Sequence, residues 1–166
     1  MRVALAIVIP IGAALLQGAL VPLIAAGELR PNLPVLVAAS WAVAAGAAEA
    51  TWWAFVGGLA ADLLSGGPLG ALAAASLPAV ASVGLGERPL ARQTPVIAGA
   101  LLVALAALIA GLLYLALLAL VGQPLPDALA LIGVTAGSAV YTGALALAWY
   151  PFARWLRRVT EQDSPF

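Results

Sequence analysis

LPVLVAASWAVAAGAAEATWWAFVGGLAADLL, residues 33–64, decides how this chain folds. Its charged residues are Glu49 and Asp62 alone, too few to wet the face of a soluble element. Read as one helix it would be about 48 Å long at 1.5 Å per residue, against a bilayer core of about 30 Å. That helix would also leave Glu49 deep in hydrocarbon, at a cost of a few kcal/mol. A break at Gly46-Ala47-Ala48-Glu49 removes both difficulties. The run then reads as two short or partly re-entrant helices, about 33–47 and 50–64, with Glu49 at the turn.

The same logic extends in both directions. Residues 3–26 form an apolar run longer than the 7–15 residues of a signal-peptide core, so it reads as a span. Gln17 lies in its middle, and Gly27-Glu28-Leu29-Arg30-Pro31-Asn32 closes it as a loop. Ser65-Gly66-Gly67-Pro68-Leu69-Gly70 is the clearest turn in the chain. A fourth span follows at about 69–86, then a charged loop over 87–93, then a long Leu-rich fifth span at 95–121. After Gln123-Pro124-Leu125-Pro126-Asp127, with Asp127 as a helix N-cap or first-turn acid, a sixth span covers 128–152. A short basic amphipathic tail, 153–166, ends the sequence. The fold class expected is an all-α integral membrane protein of six helices in one polytopic domain, with no linker and no visible repeat.

Composition excludes much chemistry. Of the 166 residues 64% are hydrophobic and 8% charged, where soluble domains carry about 25% charged residues. Cys, His and Lys are all absent. Disulfides, thiolate nucleophiles, Cys/His metal sites, His bases and Schiff bases therefore have no candidates. No P-loop, G-x-S-x-G elbow or H-E-x-x-H is present. Seven Arg balance seven acids, so no basic face invites nucleic acid. The chain is read as a non-enzyme without cofactor or metal.

Arginine orients the spans. With the N-terminus inside, Arg2, Arg88, Arg92, Arg154, Arg157 and Arg158 are cytoplasmic and only Arg30 is external, the positive-inside bias. Merging 33–64 into one span, with the N-terminus outside, gives the same ratio for five helices. Both schemes place the C-terminus in the cytoplasm; the merged length and Glu49 favour six, with both termini inside. Trp52, Trp53, Trp149, Tyr150 and Trp155 then fall at the cytoplasmic interface, where such rings collect.

Asp62 is the one acid within a span rather than beside a loop. Near a helix C-terminus it opposes the macrodipole, and burial in lipid adds to the cost, so something must offset it. The Ser65-Gly66-Gly67 turn and the free N–H groups of the helix that begins near Pro68 offer partners. Asp62 is thus expected to staple one helix end to the next; a proton or ion site is the alternative. Gly57 and Gly58 let a neighbouring backbone approach. Gly133 and Gly137, with Ser138 and Thr142 on an adjoining stripe, suggest helix packing within the molecule or between molecules. Arg154, Arg157 and Arg158 form a juxtamembrane cluster suited to anionic membrane lipid or to a cytoplasmic protein.

Arg30-Pro31-Asn32-Leu33-Pro34 followed by Phe55, Gly58, Leu59, Asp62 and Gly70 resembles the rod shape-determining protein MreD family. That family carries an R-P-D-like segment and a G-F-x-x-G-L-x-x-D core with a glycine beyond it. Here Asn32 stands where an acid is common and Ala54 where the first core glycine is expected. The resemblance marks Phe55, Gly57, Gly58, Leu59, Asp62, Ser65, Gly66, Gly67, Pro68 and Gly70 as a structural motif. It implies a non-enzymatic inner-membrane subunit of the cell-elongation machinery that helps organise peptidoglycan synthesis. The partners implied are MreC directly, and RodA, its class B transpeptidase and MreB in a larger assembly. It also implies a fold similar to the substrate-binding subunits of energy-coupling-factor transporters. A vitamin-type ligand-binding subunit is therefore the alternative function, against which stands the shortage of polar groups to line a pocket.

Overall fold

In the computed structural model, the run 33–64 breaks at a single residue. Gly46 has φ 103°, a backbone conformation that side-chain-bearing residues rarely adopt. It ends α3 (Leu33–Ala45) and opens α4 (Ala47–Ser65). The two helices fold back on each other. Trp41 and Trp53 stack at 4.5 Å and 5°, and Pro34 lies where a Cβ on Gly57 would touch it at 3.4 Å. Glu49 sits in the first turn of α4, where its carboxylate complements the helix dipole and accepts from the Trp41 indole at 3.2 Å.

The structure describes residues 2–85, 94–125 and 127–162. Their other elements are α1 (Arg2–Ala19), α2 (Val21–Ile24), α5 (Ala71–Gly84), α6 (Val96–Leu120) and α7 (Ala128–Gln162). Helices α1, α4, α5, α6 and α7 pack against one another in that order, and all five touch α3. Every residue from Leu33 to Ala44 is buried. A helix apolar on all sides has no face to give to water, so it takes the axis of the bundle.

Helix α6 is equally apolar but lies outside, and it sorts its residues by size. Gly99, Ala100, Val103, Ala106, Ala107 and Ala110 face inward, while Ile97, Leu101, Leu105 and Leu112 are exposed. With lipid as apolar as leucine, close packing of small residues decides which side turns in. α6 and residues Ala128–Thr160 of α7 are long and apolar enough to cross a membrane. Between α4 and α5 the backbones nearly touch: a Cβ on Gly58 would lie 2.6 Å from Ala73 Cα.

Several expected boundaries move. The run 3–26 is divided at Leu20, because Pro22 supplies no N–H to continue the ladder from α1. The fourth helix starts at Ala71, not Leu69, and Pro68 stays outside it. Gly86 and the loop 87–93 lie outside the described residues. The tail expected from 153 is instead a continuation of α7 to Gln162, with 163–166 outside the described residues. Pro151 interrupts one helical hydrogen bond, but Ala153 and Thr160 are buried and Leu156 packs on the core, which holds the helix together. Of the rings expected at the interface, Trp53 and Tyr150 are buried within the protein, whereas Trp52 and Trp155 are exposed on its surface.

Candidate functional site

The Asp62 side chain is 2% exposed, one turn before the end of α4. Helix α5 begins after Gly70, which stands at the N-cap with φ 84° and has no side chain to cap with. Its first amides are left unsatisfied within the helix. The Asp62 carboxylate meets them from the neighbouring helix. Leu72 N–H donates to both of its oxygens at 3.1 Å, and Ala73 N–H donates to Oδ2 at 3.3 Å. The charge also lies at the positive end of the α5 dipole. The intervening turn positions the two ends. Gly66 closes α4 with φ 68°, the Ser65 hydroxyl donates to the Asp62 carbonyl at 3.2 Å, and Gly67 N–H donates to Ser65 Oγ. Of the two partners expected from the sequence, the donors to the carboxylate are thus the first amides of the next helix and not those of the Ser65–Pro68 turn.

The remaining motif residues surround this joint. Gly57 fits between Pro10 and Pro34, and Gly67 lies beside the Tyr114 hydroxyl. The Pro68 carbonyl accepts from Ala71 N–H at 3.2 Å. Leu59 is half-buried. Phe55 is 39% exposed on the outer surface, tilted against Trp52. Ser76 extends the joint by donating to the Ala54 carbonyl at 3.3 Å.

A second polar cluster lies at the start of α3. The Gln17 amide grips both sides of that start. Its Nε2 donates to the Pro31 carbonyl at 3.0 Å and its Oε1 accepts from Leu33 N–H at 2.7 Å. Asn32 caps α3 by accepting from Val35 N–H at 3.1 Å. Helix α7 completes the cluster: Asn32 N–H donates to Thr142 Oγ1 at 3.0 Å, Arg30 N–H to Ser138 Oγ at 3.1 Å, and Tyr141 to the Ile24 carbonyl at 2.8 Å. Gln17 carries the sequence signal of an amide in mid-span, but its partners lie in a loop whose path periodicity cannot supply. Gly137 receives the Leu29 side chain, whereas a Cβ on Gly133 would meet nothing within 4 Å. Gly133 therefore has no packing role among the described residues.

At the opposite end, the Arg157 guanidinium donates to the Ala44 carbonyl in the last turn of α3. Arg154 donates to the Thr94 carbonyl at 3.2 Å and lies 5.8 Å from the Tyr150 ring centroid. Arg158 is exposed. Among the described residues, no group of three or more His, Cys, Asp or Glu is placed to hold a metal.

These features define a helical membrane protein whose polar side chains bind its own main chain and join helix ends. The chain belongs to the rod shape-determining protein MreD family, whose profile matches residues 1–141. The matched region includes the Asp62 joint and the Gln17 clamp and ends before Thr142 and the three arginines of α7. No curated protein and no solved structure matched the chain.

Proposed function

We propose that this chain is a non-enzymatic, multi-pass inner-membrane subunit of the cell-elongation machinery that docks MreC and helps organise peptidoglycan synthesis. RodA with its class B transpeptidase, and MreB, join through the larger assembly. The observation that carries the reading is the state of Asp62. The one acid inside a span is bonded to the amides of the next helix, so its charge serves shape rather than turnover. The reversal of the chain at Gly46 supports six spans over five, and the arginine bias supports two cytoplasmic termini. α3 fills the bundle axis, which supports the non-binding reading over the ligand-binding alternative.

The test is co-purification of the full chain with MreC in mild detergent, beside reporter fusions at Gly122 and at the C-terminus. Expected are recovery of MreC with the wild-type chain and opposite reporter sides. MreC that fails to co-purify with a folded chain overturns the partner assignment, and a periplasmic C-terminus overturns the orientation. Hydrolysis of a nucleotide or a peptidoglycan precursor by the purified chain alone overturns the non-enzymatic reading.

A further inference from the structure

Where α6 begins, Val96, Pro151, Arg154, Trp155 and Arg158 line an open cleft of about 200 Å³. That is below the roughly 300–1,000 Å³ of drug-like ligand sites, and it suits a small headgroup. Its chemistry is that of an anion site. Arg154 is held in place by the Thr94 carbonyl and the Tyr150 ring, yet a guanidinium has five N–H donors and this contact uses one. Arg158 stands exposed at the rim. Pro95 gives α6 no side-chain cap, so the first amides of a 25-residue helix add positive potential beside Val96.

The surroundings are those of a membrane surface. Trp149, Phe152 and Trp155 form a ladder of rings with centroids 5.0 and 5.7 Å apart, and the two tryptophans are amphipathic groups of the kind that settle at headgroup depth. One residue beyond Val96 begins a row of exposed side chains, Ile97, Leu101 and Leu105. At a spacing of four they run along one face of α6, in the direction acyl chains would take from a headgroup in the cleft.

We propose that this cleft binds the phosphodiester headgroup of an anionic glycerophospholipid, with the acyl chains laid along Ile97, Leu101 and Leu105. The proposal deepens the functional reading only in placing this end of the bundle at the membrane surface. Its test is made in detergent and does not depend on topology or on MreC.

The full chain, purified in mild detergent, is doped with phosphatidylglycerol or phosphatidylcholine of identical acyl chains, and retained lipid is counted by native mass spectrometry. The wild-type chain is expected to retain one phosphatidylglycerol in preference to phosphatidylcholine. Arg158→Gln, an exposed change that leaves the fold intact, is expected to lower that occupancy about five-fold, the effect of one basic residue at an anionic surface. Arg30→Gln, at the other end of the bundle, is expected to leave it unchanged. Equal retention of the two lipids, or no loss in Arg158→Gln, overturns the proposal. Displacement of phosphatidylglycerol by millimolar inorganic phosphate also overturns it, because the cleft would then be a site for free phosphate.

Discussion

At the end of the bundle where α3 and α5 begin, the first N–H groups of these two helices are met by side-chain oxygens. Gln17 and Asn32 serve α3, and Asp62 serves α5. At the end where α3 stops, its own last carbonyls are left over and Arg157 meets that of Ala44, while α4 and α6 begin at this same end. Both choices follow the helix dipole, which favours acceptors and anions at N-termini and cations at C-termini. The ends differ in how much water reaches them. Asp62 is buried, whereas Arg157 is half-exposed. A lost bond at the first end therefore leaves a donor with no substitute, while water can replace a lost bond at the second. The two ends use complementary chemistry and carry unequal stability.

The largest test of that inequality is a series at Asp62. Asp62→Leu is expected to remove charge-assisted bonds of about 1.5–3 kcal/mol and to orphan the α5 amides at about 1–3 kcal/mol more. Asp62→Asn keeps an acceptor and loses only the first part. Thermal unfolding in detergent, beside rod-shape complementation, should therefore rank wild type, Asn and Leu in that order by both readouts. An Asn variant of normal stability with complete loss of function would sink the joint and revive a proton or ion role.

Gln17→Leu comes next. It leaves Leu33 N–H without its acceptor, an expected loss of about 1–3 kcal/mol, and it loosens α1 from the start of α3. Gln17→Glu should recover part of this, since the acceptor and the favourable dipole return. Hydrogen exchange at Leu33 is the local measurement: protection lost in the Leu variant and regained in the Glu variant.

The smallest effect is expected at the other end. Arg157→Gln should cost about 0.3–1 kcal/mol, the usual worth of a cation near a helix C-terminus, and salt should shrink the difference. A loss at Arg157 as large as that at Asp62 would mean that the two ends are sealed alike and would remove the comparison.

The helices themselves were largely legible, because runs of apolar residues between Gly- and Pro-rich turns leave few choices in a membrane protein. The interruption at Gly46 was legible from the length of the run together with Glu49. That Asp62 reaches the start of the next helix was legible too, but which amides it meets was not: they depend on α5 starting at Ala71, which follows from the positive φ of Gly70 and not from hydropathy. The continuation of α7 past Pro151 was hidden because proline and arginine read locally as an end, while burial of Ala153 and Thr160 is a tertiary fact. The Gln17 clamp was hidden for the same reason, its partners being set by the path of a loop.

The bond from Asn32 N–H to Thr142 spans 110 residues, and it gives the molecule a history. At roughly 5–20 residues per second of synthesis, the start of α3 waits on the order of 5–20 s before Thr142 exists to meet it. During that interval the axial helix lacks a wall, and its neighbours on that side are lipid or the insertion machinery. The hairpin with α4, closed by Gly46 and the Trp41–Trp53 stack, is complete long before then. Synthesis therefore delivers the parts of the bundle in sequence, with α7 the last of the described helices to arrive.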